Sequence, residues 1–327
     1  MDRRRALASL ASPALGALWA APPWRSAQAQ SQVSRIFVGF AAGGTGDVIA
    51  RGFGEAMRRA GAGMSIVENR PGAGGRLAVR AFKGVAPDGT SLLVTPGWVL
   101  TLTPNTDKVP AFDPFADLIP VGAFSAQDYA LAVGPACPAR TLAEYVRWVQ
   151  QNPAAGQYAS AGVGSMAHIV GSMIERSAGI RLQGVPYKGA SQSLQDLQAG
   201  HIAANIGALG DMVRMHGEGK LRVLATTGAR ASKFLPDVPC FEEAGFRGVR
   251  VTDWTGAFAP ARTPPELIAR DAKLLATCTR DPAFNAIVER LGAEPVHQGP
   301  EPLAARLKAD TQVMRELVRT FGLKDST

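Results

Sequence analysis

The chain has 327 residues, 46% of them hydrophobic and 19% charged, which excludes a disordered, collagen-like or small disulfide-stapled protein. At about 100–200 residues per domain this length suggests about two domains, and 36 glycines and 23 prolines call for many short turns, as in an α/β architecture. The formal charge of +8 includes +3 from Asp2, Arg3, Arg4, Arg5 and Arg25, leaving about +5 after residue 29. That is an ordinary solubility charge and gives no reason to expect a nucleic-acid partner.

The first 29 residues read as an address. Arg3-Arg4-Arg5 is a cationic start, residues 6–21 are apolar and small, and Ala27-Gln28-Ala29 is the small-x-small pattern that a signal peptidase cuts. The arginine run also loosely fits a twin-arginine signal, so both export routes stay open. A membrane anchor is disfavoured by Pro13, Pro22 and Pro23, and nothing after residue 30 is apolar for long enough to span a bilayer.

Further along, 35–40 reads as a strand, 41–46 as a glycine-rich turn and 47–60 as a helix with apolar Val48, Ile49, Phe53 and Met57. The same unit repeats with a strand at 65–68, a second glycine turn at 69–75 and a helix at 77–85, followed by a buried strand at 91–95. After a Pro- and Asp-rich connection at 104–120, a second set begins with a strand at 129–133 and a helix at 142–151 capped by Thr141. A strand at 157–161, a glycine turn at 162–165, a helix to 177, a strand at 182–185 and a helix at 190–198 complete it. Strands are further expected at 202–206, 221–225 and 257–259, and a helical C-terminal third at 265–321. Alternating strands and helices predict parallel sheet, with ligands at the carboxyl ends of the strands.

Three widely spaced cysteines, Cys137, Cys240 and Cys278, allow one disulfide or three buried thiols. The four histidines lack metal-ligand spacing, so neither metal nor cofactor is expected. A dinucleotide reading of Gly44-Thr45-Gly46 fails at Ile49, which stands where close helix-to-strand packing requires Gly or Ala. A strand running through glycines into a helix aims unpaired N–H groups and the positive end of the helix dipole at one spot, which favours an anion. Ala42-Gly43-Gly44-Thr45 and Gly162-Val163-Gly164-Ser165 both have that form. Ser165 with His168 three residues later also admits an exported hydrolase or transferase, although no nucleophile elbow surrounds Ser165 and no third acid stands near.

Taken in order, several segments resemble the Bug family, the substrate-binding proteins of tripartite tricarboxylate transporters. They are Phe40-Ala41-Ala42-Gly43-Gly44-Thr45-Gly46-Asp47 with Ala50-Arg51, Glu68-Asn69-Arg70-Pro71-Gly72-Ala73-Gly74-Gly75, and Pro87-Asp88-Gly89-Thr90. Phe112-Asp113-Pro114-Phe115, Val185-Pro186-Tyr187-Lys188-Gly189 and Leu235-Pro236-Asp237-Val238-Pro239 follow. The resemblance implies a type II periplasmic-binding-protein fold, two αβ lobes joined by a two-strand hinge with the ligand cleft between them. Lobe one would comprise 30–129 plus 254–327 and lobe two 130–253, with the hinge near Asp128 to Ala130 and Thr252 to Trp254.

The resemblance further implies a non-enzymatic, monomeric periplasmic receptor that hands a small organic carboxylate to membrane transporter subunits or a sensor. The ligand carboxylate would be held mainly by backbone groups and bridging waters. By position these are Phe40, Ala41, Ala42, Gly43, Gly44, Thr45 and Asp47 in lobe one, and Gly162, Val163, Gly164, Ser165, His168, Tyr187, Lys188, Gly189 and Ala190 in lobe two. Trp98, Phe40, Tyr187 and Asp211 are candidates for specificity, although Trp98 could equally be core. Gly39, Met166, Cys240 and His201 depart from the family pattern beside this site.

Overall fold

The computed structural model describes residues 34–160, 164–187 and 190–323. The leader reading of 1–29 and the site candidates Gly162, Val163, Lys188 and Gly189 lie outside the described residues.

The first βαβ units form as the sequence predicts. Strand β1 (Ser34–Val38) leads through the first glycine turn into α1 (Thr45–Arg59), and β2 (Ser65–Asn69) through the second into α2 (Arg76–Phe82). Strand β3 (Ser91–Pro96) follows. Both β2 and β3 pair in parallel with β1. Alternation along β1 sends Ile36 and Val38 to one face and Phe37 to the other, each fully or almost fully buried. Helices therefore cover both faces of the sheet, the condition under which parallel strands are stable.

Two short helices missing from the sequence reading come next, α3 (Gly97–Thr101) and α4 (Thr103–Thr106). The connection expected to run to residue 120 ends early, because β4 (Leu118–Val133) is a single 16-residue strand. Pro120, Gly122, Ser125, Gln127 and Asp128 hide its first part in the sequence, since none carries a strand-favouring side chain. The second set then runs α5 (Leu142–Gln151), β5 (Gln157–Ser160), α6 (Met166–Ala178), β6 (Gln183–Pro186), α7 (Ala190–Ala199) and β7 (Ala204–Ala208). Thr141 caps α5 by accepting from Glu144 N–H. Next come α8 (Gly210–Gly217), unforeseen in the sequence, β8 (Arg222–Thr226) and a nine-residue β9 (Thr252–Pro260). The C-terminal third is helical in α9 (Pro265–Cys278), α10 (Pro282–Arg290) and α11 (Pro300–Phe321), but β10 (Glu294–Gln298) interrupts it.

The sheet is mixed rather than wholly parallel. Its order is β2-β1-β3-β9-β4-β7-β5-β6, with β8 and β10 also on β4. The outer strands of each half are parallel, whereas β9 and β4 return antiparallel through the centre. Along β4 the partner changes at one step: Asp128 is opposite Thr252 of β9, while Tyr129 is opposite Ala208 of β7. Two half-sheets thus share one strand.

Each half-sheet has its own core. Phe53, Phe124 and Phe284 meet at centroid distances of 5.0–6.0 Å on one face of the first half, with Phe37, Phe82 and Leu93 on the other. In the second half, Tyr129, Leu131 and Val133 face α5 and α6, while Ala130 and Ala132 face α7 and α8. The 22-residue α11 serves both, placing Leu303 and Leu307 in a first-half core and Met314 and Val318 in a second-half core. All three cysteines are buried free thiols.

Candidate functional site

The first two glycine turns lie at the carboxyl ends of parallel strands, after β1 and after β2; Gly164 and Ser165, the described end of the third, stand between β5 and α6, with Trp98 after β3 and Asp211 after β7. That is where open α/β sheets place ligands.

The first turn is exposed from Ala41 to Gly44 and closes on a buried acid. Gly43, at φ 81°, is in the left-handed region that glycine tolerates, and its N–H donates to Asp47 Oδ2 at 2.9 Å. Arg51 Nε donates to the same oxygen at 2.9 Å, and Asn69 Nδ2 reaches Asp47 Oδ1 at 2.9 Å and Phe40 O at 3.0 Å. Burial pushes the Asp47 carboxyl up, but the hydrogen bonds from Arg51, Gly43 and Asn69 outweigh it and hold the group below its ordinary value. With both oxygens engaged, Asp47 positions the turn. Gly44, the N-cap of α1, makes no side-chain cap hydrogen bond, so no N-cap side chain satisfies the first N–H groups of the helix. The departure at Gly39 has a local reason: a Cβ there would lie 2.7 Å from Gly75 Cα, so glycine lets the two turns of this half-sheet approach.

Gly164 and Ser165, the described end of the third turn, are tied to α6 by side chains. Ser165 is the N-cap of α6, its Oγ accepting from His168 N–H at 3.3 Å, and His168 Nδ1 accepts from Gly164 N–H at 3.3 Å. Burial lowers the His168 pKa. A neutral ring that accepts at Nδ1 carries its proton at Nε2, which makes His168 a donor there. The Ser165–His168 pair is a cap rather than the hydroxyl-to-imidazole bond of an activated nucleophile.

Other candidates are distributed as follows. Tyr187 is half-buried, and its hydroxyl donates to Asp196 Oδ2 at 2.9 Å, while His201 Nδ1 lies 3.4 Å from the other oxygen, Oδ1. Ala190 is exposed at the start of α7. Thr45 Oγ1 donates to Asp211 Oδ1 at 3.4 Å, a contact from the first turn to the second half-sheet. Trp98 packs on cores of both halves, and its ring lies 6.4 Å from that of Phe40.

Several neighbours were not singled out from the sequence as site residues. Arg76 pairs with Asp107 at 2.8 Å and donates to Thr106 Oγ1 at 3.1 Å, and a Cβ on Gly164 would lie 3.3 Å from that hydroxyl. Asp253 Oδ1 accepts from Trp98 N–H at 3.1 Å. Asn69 stands inside a quoted motif, but only the structure gives it a task. No group of three or more His, Cys, Asp or Glu able to hold a metal exists among the described residues, and none of their helices is long and apolar enough to cross a membrane.

The family model described as "Tripartite tricarboxylate transporter family receptor" matches residues 49–323. The chain belongs to this family. A UPF0065 protein of Bordetella bronchiseptica is 30% identical over 302 residues, covering 91% of this chain and 89% of that protein, and BugT of Bordetella pertussis is 26% identical over 295 residues, 89% of each. The structure of the periplasmic binding protein BugD is similar at TM-score 0.81 and 29% identity, covering 89% of this chain and 98% of that one. MatC of Rhodopseudomonas palustris, solved with bound malate, is similar at TM-score 0.80 and 26% identity, covering 88% and 98%. The fold is therefore the α/β fold of periplasmic binding proteins, and the chain is a solute-binding receptor of the Bug type.

Proposed function

We propose that this receptor is exported and captures a small organic carboxylate between two lobes, 30–129 plus 254–327 and 130–253, then presents the closed form to a tripartite transporter or a sensor. The observation that carries the reading is the pairing of an uncapped α1 start beside the Asp47-braced first turn with the α6 start beside His168, one on each half-sheet. N–H donors and two helix dipoles then converge on one anion. The hinge is the step in β4 between Asp128 and Tyr129, where Thr252 Oγ1 donates to Asp128 Oδ1 at 2.6 Å. A ligand that touches both turns only when they meet favours the closed state by its differential affinity. Malate in MatC is consistent with a carboxylate ligand here. The protein acts as a monomer, and residues 1–29 are its export signal.

Small molecules released from protein purified without denaturation from the envelope of its host, identified by mass spectrometry and rebound by calorimetry, test this. A stoichiometric carboxylic acid rebinding at micromolar affinity or tighter is expected. An empty cleft that also ignores a broad carboxylate panel would overturn the reading. Ser165→Ala should weaken binding by at most about 1–2 kcal/mol, whereas an enzyme using Ser165 would lose all turnover.

A further inference from the structure

Arg76 opens α2 directly after the second glycine turn, and all three nitrogens of its guanidinium are engaged. Nη1 donates to Ala73 O at 3.1 Å. Nε and Nη2 form a two-point pair with the Asp107 carboxylate, at 3.1 and 2.8 Å, and Nη2 also donates to Thr106 Oγ1 at 3.1 Å. Both side chains of the ion pair are only 16% exposed, and spanning a carboxylate and a hydroxyl at once uses the planar fork that a lysine lacks. Ala73, whose carbonyl Arg76 holds, has a φ of 47°, an uncommon conformation for a residue with a side chain.

On the far side of this clamp stands the described end of the third turn. Thr106 is 1% exposed, and its hydroxyl donates to Thr103 O at 3.0 Å while accepting from Arg76. A Cβ on Gly164 would lie 3.3 Å from that Oγ1 and 3.5 Å from the Cβ and Cγ2 of Thr106, so the Thr106 side chain is the surface against which Gly164 rests. Gly164 N–H in turn donates to His168 Nδ1, which leaves Nε2 as the proton-bearing nitrogen of the neutral ring. Leu102, just ahead of α4, is packed in the core of the second half-sheet, which fixes α4 from that side. Unbroken contacts therefore run from Ala73 through Arg76, Thr106 and Gly164 to His168, linking the second turn of one half-sheet to the first turn of α6 on the other.

We propose, resting on the receptor reading above, that Arg76 is a positioning residue for ligand capture: by fixing Thr106 against Gly164 it holds the His168 ring with Nε2 as donor, without itself touching the ligand. The alternative is an ion pair that only fastens α4 to α2, which would change stability and leave His168 as it is. The state of the His168 ring separates the two.

The experiment is nitrogen-15 NMR of the histidine rings in the full-length mature protein, assigned with His168→Gln, followed by calorimetry with malate, succinate, adipate, benzoate, glutamate and any acid that co-purifies. In Arg76→Met the His168 Nδ1 signal should lose its hydrogen-bonded position and the ring pKa should rise, because a bond that favours the neutral form is gone. The acid bound most tightly by the wild type should bind about tenfold more weakly. Thr106→Ser, which keeps the hydroxyl, should retain the wild-type ring signals, whereas Thr106→Val, which offers Arg76 no acceptor, should shift them as Arg76→Met does and serves where that variant does not fold. A folded Arg76→Met or Thr106→Val protein with an unaltered His168 ring overturns the proposal, as does an altered ring with unaltered affinity; in either case the receptor reading stands. A wild type that binds none of these acids overturns the receptor reading instead, and this role with it.

Discussion

At Asp47 a buried carboxylate takes hydrogen bonds from a backbone N–H, a guanidinium and an amide, and these hold the first glycine turn against the second. Asp47→Asn loses the charge-assisted bonds and should lower stability by about 1.5–3 kcal/mol, read as a shift in the denaturant midpoint. Because the folded pKa lies below the unfolded value, this contribution is present at neutral pH and lost as pH falls below about 4. The wild-type thermal midpoint should therefore drop more steeply in acid than that of Asp47→Asn. Asp253 has the opposite sign. Burial pushes it up to about 7, so its contribution is full below about pH 4 and is lost as pH rises through about 7. The thermal midpoint should climb as pH is lowered from 8 to 5, and Asp253→Asn, which keeps the acceptor for Trp98 N–H, should flatten that climb; an unaltered slope would remove Asp253 from this role.

Among the elements, α1 and α6 begin in different ways, and the difference has consequences. The α1 start relies on Asp47 from within the helix and has no N-cap side chain, whereas α6 has the Ser165 hydroxyl. Ser165→Ala should therefore cost about 1 kcal/mol of stability, an ordinary N-cap loss, measurable by urea titration. The packing of α1 on α10 and β4 is worth more, because Phe53, Phe124 and Phe284 enclose one another. Phe124→Ala should cost about 3–5 kcal/mol, and a loss below about 1 kcal/mol would mean that the trio is not the centre of this core. The helices α1, α5 and α6 were legible because apolar residues recur at helical spacing beside glycine or Ser/Thr caps. By contrast, α3, α8 and β10 are short and lack such signals, and their conformation is set by what they pack against.

For the molecule as a whole, the crossing of β4 from one half-sheet to the other is the controlling feature. Thr227 ties this crossing, its Oγ1 accepting from Tyr129 N–H at 2.9 Å and donating to Val251 O at 2.5 Å. Thr227→Val keeps the shape and orphans two backbone groups, at about 1–3 kcal/mol each. The variant should be destabilised and also show a changed ligand-induced compaction by small-angle scattering. Wild-type protein that does not compact with any tight ligand would refute closure as the binding mechanism.

The sequence by itself determined the βαβ repeats, the first two glycine turns and the family. Each of these depends on local rules: period-2 and period-3.6 patterning, a φ that glycine permits, and short motifs in order. Only the tertiary structure decided that 118–133 is one strand, that β9 and β4 run antiparallel through the centre, and that α11 serves both cores. It also decided that Asn69 clamps the first turn, that the Ser165–His168 pair is a cap, and that Asp211 meets Thr45 from 166 residues away. The physical reason is the same throughout. A partner distant in sequence leaves no periodic trace in it, and a side chain's task is set by the neighbours that packing brings within hydrogen-bond reach.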